Sequence, residues 1–276
     1  MGAVLIGVFD SGVGGLSILQ ALRAELPHED FVYIADSGHA PYGERSDAYV
    51  LARSRAVTAH LARQGVKALV IACNTATAAA IDLLRAEHPT LPIIGVEPAL
   101  KPATLLSRTR RIGVMATRST LASARFKTLL ASLAGQATFV LQPCDGLAGA
   151  IERGVHADAG PESAAEIIAA CTRHARAMGA FGPGDGEMDT LVLGCTHYPF
   201  AGEHLRALLG PHIRLLDTGA PVARQTRLRL AAATQADPAG QGAGQVKLFT
   251  TGQPAALQAA AQRWLQLGSA VQALQL

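Results

Sequence analysis

The chain has 276 residues, a formal charge of +3 and a composition that is 49% hydrophobic and 16% charged. This length suffices for one large domain or two ordinary ones. The positive charge includes no run of Lys and Arg, so we expect no nucleic acid partner. The start, MGAVLIGVFDSG, lacks the features of a signal peptide. No stretch reaches the roughly 18 consecutive apolar residues of a membrane span, so we expect a cytoplasmic protein without membrane association.

Short apolar runs alternate with helical patterns in the first half of the chain. Such runs read as buried strands, and apolar residues three and four apart read as helices. The alternation is typical of parallel βαβ units. The strands are predicted at 4–9, 31–35, 68–72 and 92–96, with helices near 15–26, 46–64 and 76–87.

The second half continues the same alternation. Strands are predicted at 111–115, 138–142, 190–194, 213–217 and 246–251, with helices near 119–132, 162–178, 200–209 and 253–266. A Gly- and Gln-rich loop is expected at 235–245. We predict a first α/β domain from 1–99 and 210–276 and a second from 100–209, because 1–99 alone would give a small sheet.

Three sequence segments recur in the same order in the two halves. IGVFDSG at 6 matches IGVMATR at 112, VYIADSG at 32 resembles FVLQPCDG at 139, and LVIACNTAT at 69 matches LVLGCTHYP at 191. Such self-similarity indicates a duplicated unit. The predicted fold is α/β, with two similar domains that are each a mainly parallel sheet flanked by helices. Pseudo-two-fold symmetry would relate them, with the active site in the cleft between.

Reactive side chains follow the predicted strands directly. Asp10, Cys73 and Cys195 each come at a strand end, where open parallel sheets bind their ligands. Two thiols facing one carbon suit a two-base proton transfer, since the ordinary thiol pKa of about 8.5 lies near cellular pH. His197 follows Cys195 by two residues, and Asp10 would assist Cys73 if the first and third strands are neighbours.

Other chemistries find less support in the sequence. GVGG (12–15) follows a strand but lacks the full dinucleotide-binding pattern, so its glycines are expected to let the backbone approach a small carboxylate. Cys144 and Cys171 have no counterpart in the repeat and are interpreted as structural. The absence of a C-x-x-C pair, a metal-ligand cluster and a lysine in a pyridoxal-phosphate setting predicts no metal and no cofactor.

Several motifs resemble the signature segments of one family, the bacterial glutamate racemases. They are FDSGVGGLSIL (9–19), DSGHAPYGERS (36–46), ACNTATA (72–78), GCTHYPF (194–200), LLDTG (215–219) and FTTG (249–252). The resemblance implies a cofactor-independent enzyme that interconverts L- and D-glutamate and supplies D-glutamate for peptidoglycan. It also implies a homodimer.

The same resemblance implies roles for individual residues. Cys73 would act on D-glutamate and Cys195 on L-glutamate, with Asp10 and His197 as their assistants. Glu152 matches a family acidic residue near the second cysteine, although CDGLAGAIE (144–152) departs from the family's Cys-Pro followed by bulky apolar residues. The implied substrate contacts are Asp10, Ser11, Pro41, Tyr42, Gly43, Asn74, Thr75, Thr117, Thr120, Thr196 and His197.

Three alternatives remain open from the sequence. Aspartate racemases, hydantoin racemases and related decarboxylases share the scaffold, although two cysteines argue against a decarboxylase. The second alternative is a binding or regulatory protein, because some glutamate racemases interact with DNA gyrase. The third is a cysteine hydrolase that uses Cys195 and His197, whose side chains are not expected to meet productively.

Overall fold

The computed structural model describes residues 5–154, 160–233 and 243–276. Within these ranges the chain forms a six-stranded and a four-stranded sheet, and every strand pair in them is parallel. The strands are β1 (Ile6–Asp10), β2 (Phe31–Ala35), β3 (Ala68–Ile71), β4 (Ile93–Gly95), β5 (Arg111–Ala116), β6 (Thr138–Pro143), β7 (Thr190–Gly194), β8 (Arg214–Leu216), β9 (Val246–Thr250) and β10 (Val271–Ala273).

Helices connect these strands and cover the sheets. They are α1 (Leu16–Glu25), α2 (Asp47–Arg63), α3 (Asn74–Glu87), α4 (Leu100–Leu106), α5 (Arg118–Ala122), α6 (Ala124–Ala131), α7 (Leu147–Arg153), α8 (Pro161–Met178), α9 (Gly202–Leu209), α10 (Gly219–Ala232) and α11 (Pro254–Leu265). Single 3₁₀ turns lie at Ser37–His39, Tyr42–Glu44 and Tyr198–Ala201. No helix in the described part of the chain combines the length and apolar character that a bilayer crossing needs.

The two sheets repeat one strand order. The first runs β10-β9-β2-β1-β3-β4 and the second β6-β5-β7-β8, so β1 to β4 correspond in position to β5 to β8. The α/β fold with two similar halves is therefore confirmed. Since β3 and β7 are equivalent strands, the residues that follow them occupy equivalent positions at the carboxyl edges of the sheets.

Strand β8 falls within 210–276, the range predicted to belong to the first domain. It pairs with β7 in the second sheet, as the counterpart of β4. The next helix, α10, packs against α1 of the first half, and β9 pairs with β2. The chain thus returns to the first sheet after β8, and the division into domains at 99 and 210 stays a prediction.

Each sheet has an apolar layer on both faces. In the first half, helices α1, α10 and α11 cover one face and α2 and α3 the other. In the second half, α7, α8 and α9 cover one face and α4 and α6 the other. The central strands β1, β2, β3 and β7 are buried along their whole length, which explains their uninterrupted apolar sequences.

Local capping explains where the structure differs from the predicted helices. The helix predicted at 119–132 is divided into α5 and α6 because Ser123 adopts an extended conformation and its side chain caps α6 through the Phe126 N–H. Helices α4, α7 and α10 and strand β10 were not predicted. The loop expected at 235–245 lies mostly outside the described residues.

Candidate active site

Two cysteines at equivalent strand ends face one cavity. Cys73 lies between β3 and α3, and Cys195 follows β7. Both line a cavity of about 180 Å³ to which the two halves contribute. Sites for drug-sized ligands have volumes of roughly 300–1,000 Å³. The cavity therefore suits a smaller molecule, with Cys73 supplied by the first half and Cys195 by the second.

Cys73 lies beside a buried carboxylate. Strands β1 and β3 are neighbours, which brings Asp10 at the end of β1 next to Cys73. Burial raises the pKa of Asp10 to about 6, against the opposing charge of His197. Burial raises the pKa of Cys73 well above its usual value, and the Asp10 charge raises it further. Cys73 is therefore a protonated thiol at neutral pH, and it donates to the Ser11 hydroxyl over 3.8 Å.

Cys195 lies at the end of a row that continues through His197 to Glu152. Nδ1 of His197 is 3.7 Å from Sγ of Cys195, and its Nε2 is 2.7 Å from Oε2 of Glu152. Burial lowers the pKa of His197, but contact with Cys195 and Glu152 outweighs it and the pKa lies well above its usual value. Burial acts to raise the pKa of Glu152, but the hydrogen bond from His197 outweighs it and the pKa is lowered. The pair is therefore imidazolium and carboxylate at neutral pH.

The side chains of Cys195 and His197, which were not expected to meet productively in a hydrolase, are in contact. His197 has helical backbone angles, and the Tyr198 N–H donates to the Cys195 carbonyl over 3.1 Å. The chain thus leaves β7 in a tight turn rather than as an extended strand. This turn folds the imidazole back onto the thiol.

The Gly-rich turn after β1 packs against the Glu152 and His197 pair of the other half. A Cβ at Gly12 would lie 2.5 Å from Cδ of Glu152, and one at Gly14 would lie 2.7 Å from Cγ of His197. Between them, the Val13 N–H donates to both carboxylate oxygens of Glu152, at 3.2 and 3.0 Å. The carboxylate that this backbone approaches is therefore the protein's own Glu152, and not the bound small carboxylate that the glycine pattern predicts.

A buried ionic network holds the loop that carries Tyr42. Asp36 accepts a hydrogen bond from the Tyr42 hydroxyl at 2.5 Å and two from the Arg53 guanidinium at 2.8 and 2.9 Å. Thr251 also donates to Asp36, at 2.8 Å. Burial would raise the pKa of Asp36, but these donors outweigh it and lower the pKa. Asp36 is therefore a fixed anion that anchors Tyr42 in the cavity wall.

Threonines of both halves meet across the cavity. The Thr75 and Thr117 hydroxyl oxygens are 3.1 Å apart, and Thr117 donates to Thr120 at 2.9 Å. Nearby, Asn74 donates to the Val96 carbonyl, while its buried Oδ1 has no partner among the described residues. The cavity thus offers hydroxyls and a free carbonyl oxygen that suit the carboxylate and ammonium groups of an amino acid.

Most residues predicted from the sequence line this cavity, and two do not. Asp10 is fully buried beneath it and accepts from the Gly15 N–H, while Thr120 lies behind Thr117. The predicted residues that do line it are Ser11, Pro41, Tyr42, Gly43, Cys73, Asn74, Thr75, Thr117, Glu152, Cys195, Thr196 and His197.

A further part of the cavity wall consists of residues that were not predicted from the sequence. Cys144, interpreted as structural, lines the cavity with only 2% of its surface exposed. Ser37 lies within the quoted DSGHAPYGERS segment, yet its own pattern gave no reason to select it. The other unpredicted lining residues are Ala40, Glu44, Arg118, Asp145, Gly146, Ala148, Gly149 and Arg153. The described residues contain no group of three or more His, Cys, Asp or Glu side chains placed to hold a metal ion.

Comparison with other sequences gives one consistent family. The model of the Asp/Glu/Hydantoin racemase family matches residues 16–226. A glutamate racemase of Stutzerimonas stutzeri is 50% identical over 230 residues, which is 83% of each chain. A glutamate racemase of Herpetosiphon aurantiacus is 46% identical over 250 residues, 91% of this chain and 93% of that one.

Solved structures agree with this result. The glutamate racemase of Bacillus anthracis superposes with a TM-score of 0.85 at 29% identity, covering 99% of this chain and 97% of that one. The Escherichia coli glutamate racemase, solved with L-glutamate and the activator UDP-MurNAc-ala, gives a TM-score of 0.81 at 30% identity, covering 98% and 97%. The chain therefore belongs to the Asp/Glu/Hydantoin racemase family and groups within it with the glutamate racemases.

Proposed function

We propose that this protein interconverts L- and D-glutamate without a cofactor, with Cys73 and Cys195 as the two proton-transfer groups. The observation that carries the proposal is that both thiols line one small cavity from equivalent strand ends of opposite halves. One thiol removes the α-proton from one face while the other donates a proton to the opposite face, so the stereocentre inverts.

The two sides of the cavity differ in the groups that surround their thiols. Cys73 is a protonated thiol and serves as the acid. Cys195 is in contact with the His197 imidazolium, which places a cation beside the thiol of the second half. We assign Cys195 as the base for L-glutamate, in line with the family resemblance. For D-glutamate the roles are reversed, with Cys73 as the base and Cys195 as the acid. Asp10 is the group placed to receive the proton of Cys73.

The substrate groups have candidate partners on the cavity wall. Asn74 Oδ1 is free to accept from the substrate ammonium, and the Thr75 and Thr117 hydroxyls are placed to donate to a carboxylate. Tyr42 packs the wall from the anchored loop. Glutamate as substrate, D-glutamate for peptidoglycan as product, a cytoplasmic location and a homodimer all belong to this proposal, and the names of the relatives support the choice of substrate.

The deciding experiment follows the α-proton of L-glutamate in D₂O with purified protein and no added cofactor. We expect loss of the α-proton NMR signal together with decay of optical rotation.

Cys73→Ser and Cys195→Ser should each abolish racemisation, because a serine hydroxyl is a far weaker acid than a thiol. Cys171→Ser is the matched control, since Cys171 is a buried thiol of α8 outside the cavity wall. Exchange with aspartate but not glutamate would overturn the substrate, and near-normal turnover in either single variant would overturn the two-thiol mechanism.

The row Cys195–His197–Glu152 also favours a second candidate function, cysteine-dependent acyl transfer. A thiol, an imidazole and a carboxylate in contact are the parts of such a nucleophile system. A burst of acyl-enzyme with an activated ester would support it. The second thiol of the cavity, Cys73, has no role in that chemistry, which is why racemisation is the primary proposal.

A further inference from the structure

Glu152 belongs to the second half of the molecule but is held mainly by the first half. Its Oε1 accepts from the Ser37 hydroxyl at 2.9 Å, and the Val13 N–H reaches both carboxylate oxygens. Among the described residues of its own half, His197 is the one that donates a hydrogen bond to this carboxylate. The orientation of this carboxylate therefore depends on groups across the cleft.

Ser37 is presented to Glu152 by a fixed turn. The neighbouring Asp36 is fully buried and bonded to Arg53 and Thr251. The Gly38 N–H donates to the Thr251 hydroxyl at 3.2 Å, so the residues on both sides of Ser37 are tied to the segment after β9. The hydroxyl thus comes from a rigid element of the first half rather than from a free loop.

We infer that Ser37 is a positioning residue for racemisation, whose hydroxyl fixes Glu152 on His197 and thereby orients the imidazole against Cys195. The inference rests on the proposed function, because it assigns to Ser37 an effect on the Cys195 side of that reaction. It also makes the Cys195 side depend on the two halves being together. Separation of the halves removes the Ser37 and Val13 donors from Glu152 at one time.

The first test compares Ser37→Ala with Ser119→Ala. Ser119 is the matched control because its hydroxyl also joins the two halves, donating to the Gly43 carbonyl at 2.8 Å, but it does not reach Glu152 or His197. We expect Ser37→Ala to lower kcat/KM for glutamate by about tenfold to a hundredfold, since small displacements of catalytic groups have effects of that size. Equal losses in the two variants would mean that a general contact between the halves, not Glu152, explains the effect.

The second test reads His197 directly and needs no turnover. The titration of the His197 imidazole is followed by NMR in wild type, Ser37→Ala, Glu152→Gln and the double variant. We expect Ser37→Ala to move this titration to lower pH, and to have no further effect once Glu152 is Gln, because residues that act through one contact are not additive. The inference would be overturned if His197 titrated at an unchanged or higher pH in Ser37→Ala. It would also be overturned if Ser37→Ala shifted the His197 titration as far in the Glu152→Gln background as in the wild type. A wild type that fails to racemise glutamate would overturn the proposed function instead, and the titrations would still report on Ser37.

Discussion

Replacing Gly14 by alanine tests how closely the second half packs on the turn after β1. The new Cβ would overlap the His197 ring, whose Nδ1 is the closest atom, and ordinary contact begins at 3.4 Å, so the ring must retreat by about 1 Å. The ring has little room for this movement, because it is buried and lies between Cys195 and Glu152. A shift of this size stretches the 2.7 Å bond to Glu152 or changes the contact with Cys195.

We expect Gly14→Ala to lower kcat/KM for glutamate by about a hundredfold, as misplacements near 1 Å do, and to destabilise the fold by about 1–3 kcal/mol through overpacking. Racemisation is measured by circular dichroism and stability by urea denaturation. Gly268→Ala is the control, because a Cβ there meets no atom within 4 Å. If Gly14→Ala kept wild-type turnover and stability, the reasoning that this glycine makes room for His197 would be refuted.

Two further substitutions test the buried charges. Asp10 has a pKa of about 6 in the folded protein against an ordinary 3.8, so the folded state loses stability relative to the unfolded chain as the pH rises between those values. Asp10→Asn should therefore be more stable than wild type by up to about 3 kcal/mol at pH 8 and gain no stability near pH 3. Urea denaturation at both pH values measures the difference. An advantage that is equal at both pH values would contradict this assignment. Arg53→Lys loses the two-point contact with Asp36 and should raise KM more than it lowers kcat, because the Tyr42 loop loses its anchor. Arg55→Lys, in an exposed pair on the same helix, is the control, and equal changes in KM would speak against the anchor.

The sequence predicted the parts of the site that depend on local pattern. Cys73 and Cys195 could be selected because each ends an apolar strand and the two strands are related by the internal repeat. The roles of Gly12 and Ser37 could not be predicted, since both residues act on Glu152, which is more than a hundred positions away along the chain. Only the packing of the two halves brings these residues together.

The two-residue spacing and the family resemblance suggested His197 as the assistant of Cys195, but they did not give the geometry of the contact. The helical backbone angles of His197 turn the ring towards the thiol. The three matched segments cover β1 to β3 and β5 to β7, whereas the correspondence of β4 with β8 becomes visible only in the strand order of the two sheets.

The return of the chain from β8 to α10 joins the two halves by two covalent crossings instead of one. Covalent linkage keeps the halves at a high effective concentration, so their mutual affinity need not be large. The contacts between the halves include polar ones, such as Ser17 to the Thr196 carbonyl at 2.9 Å, and the stacked rings of Phe200 and Trp264, and none of them has to hold two separate chains together. Two separate subunits with the same contacts would dissociate on dilution, whereas the halves of this chain stay within reach of each other.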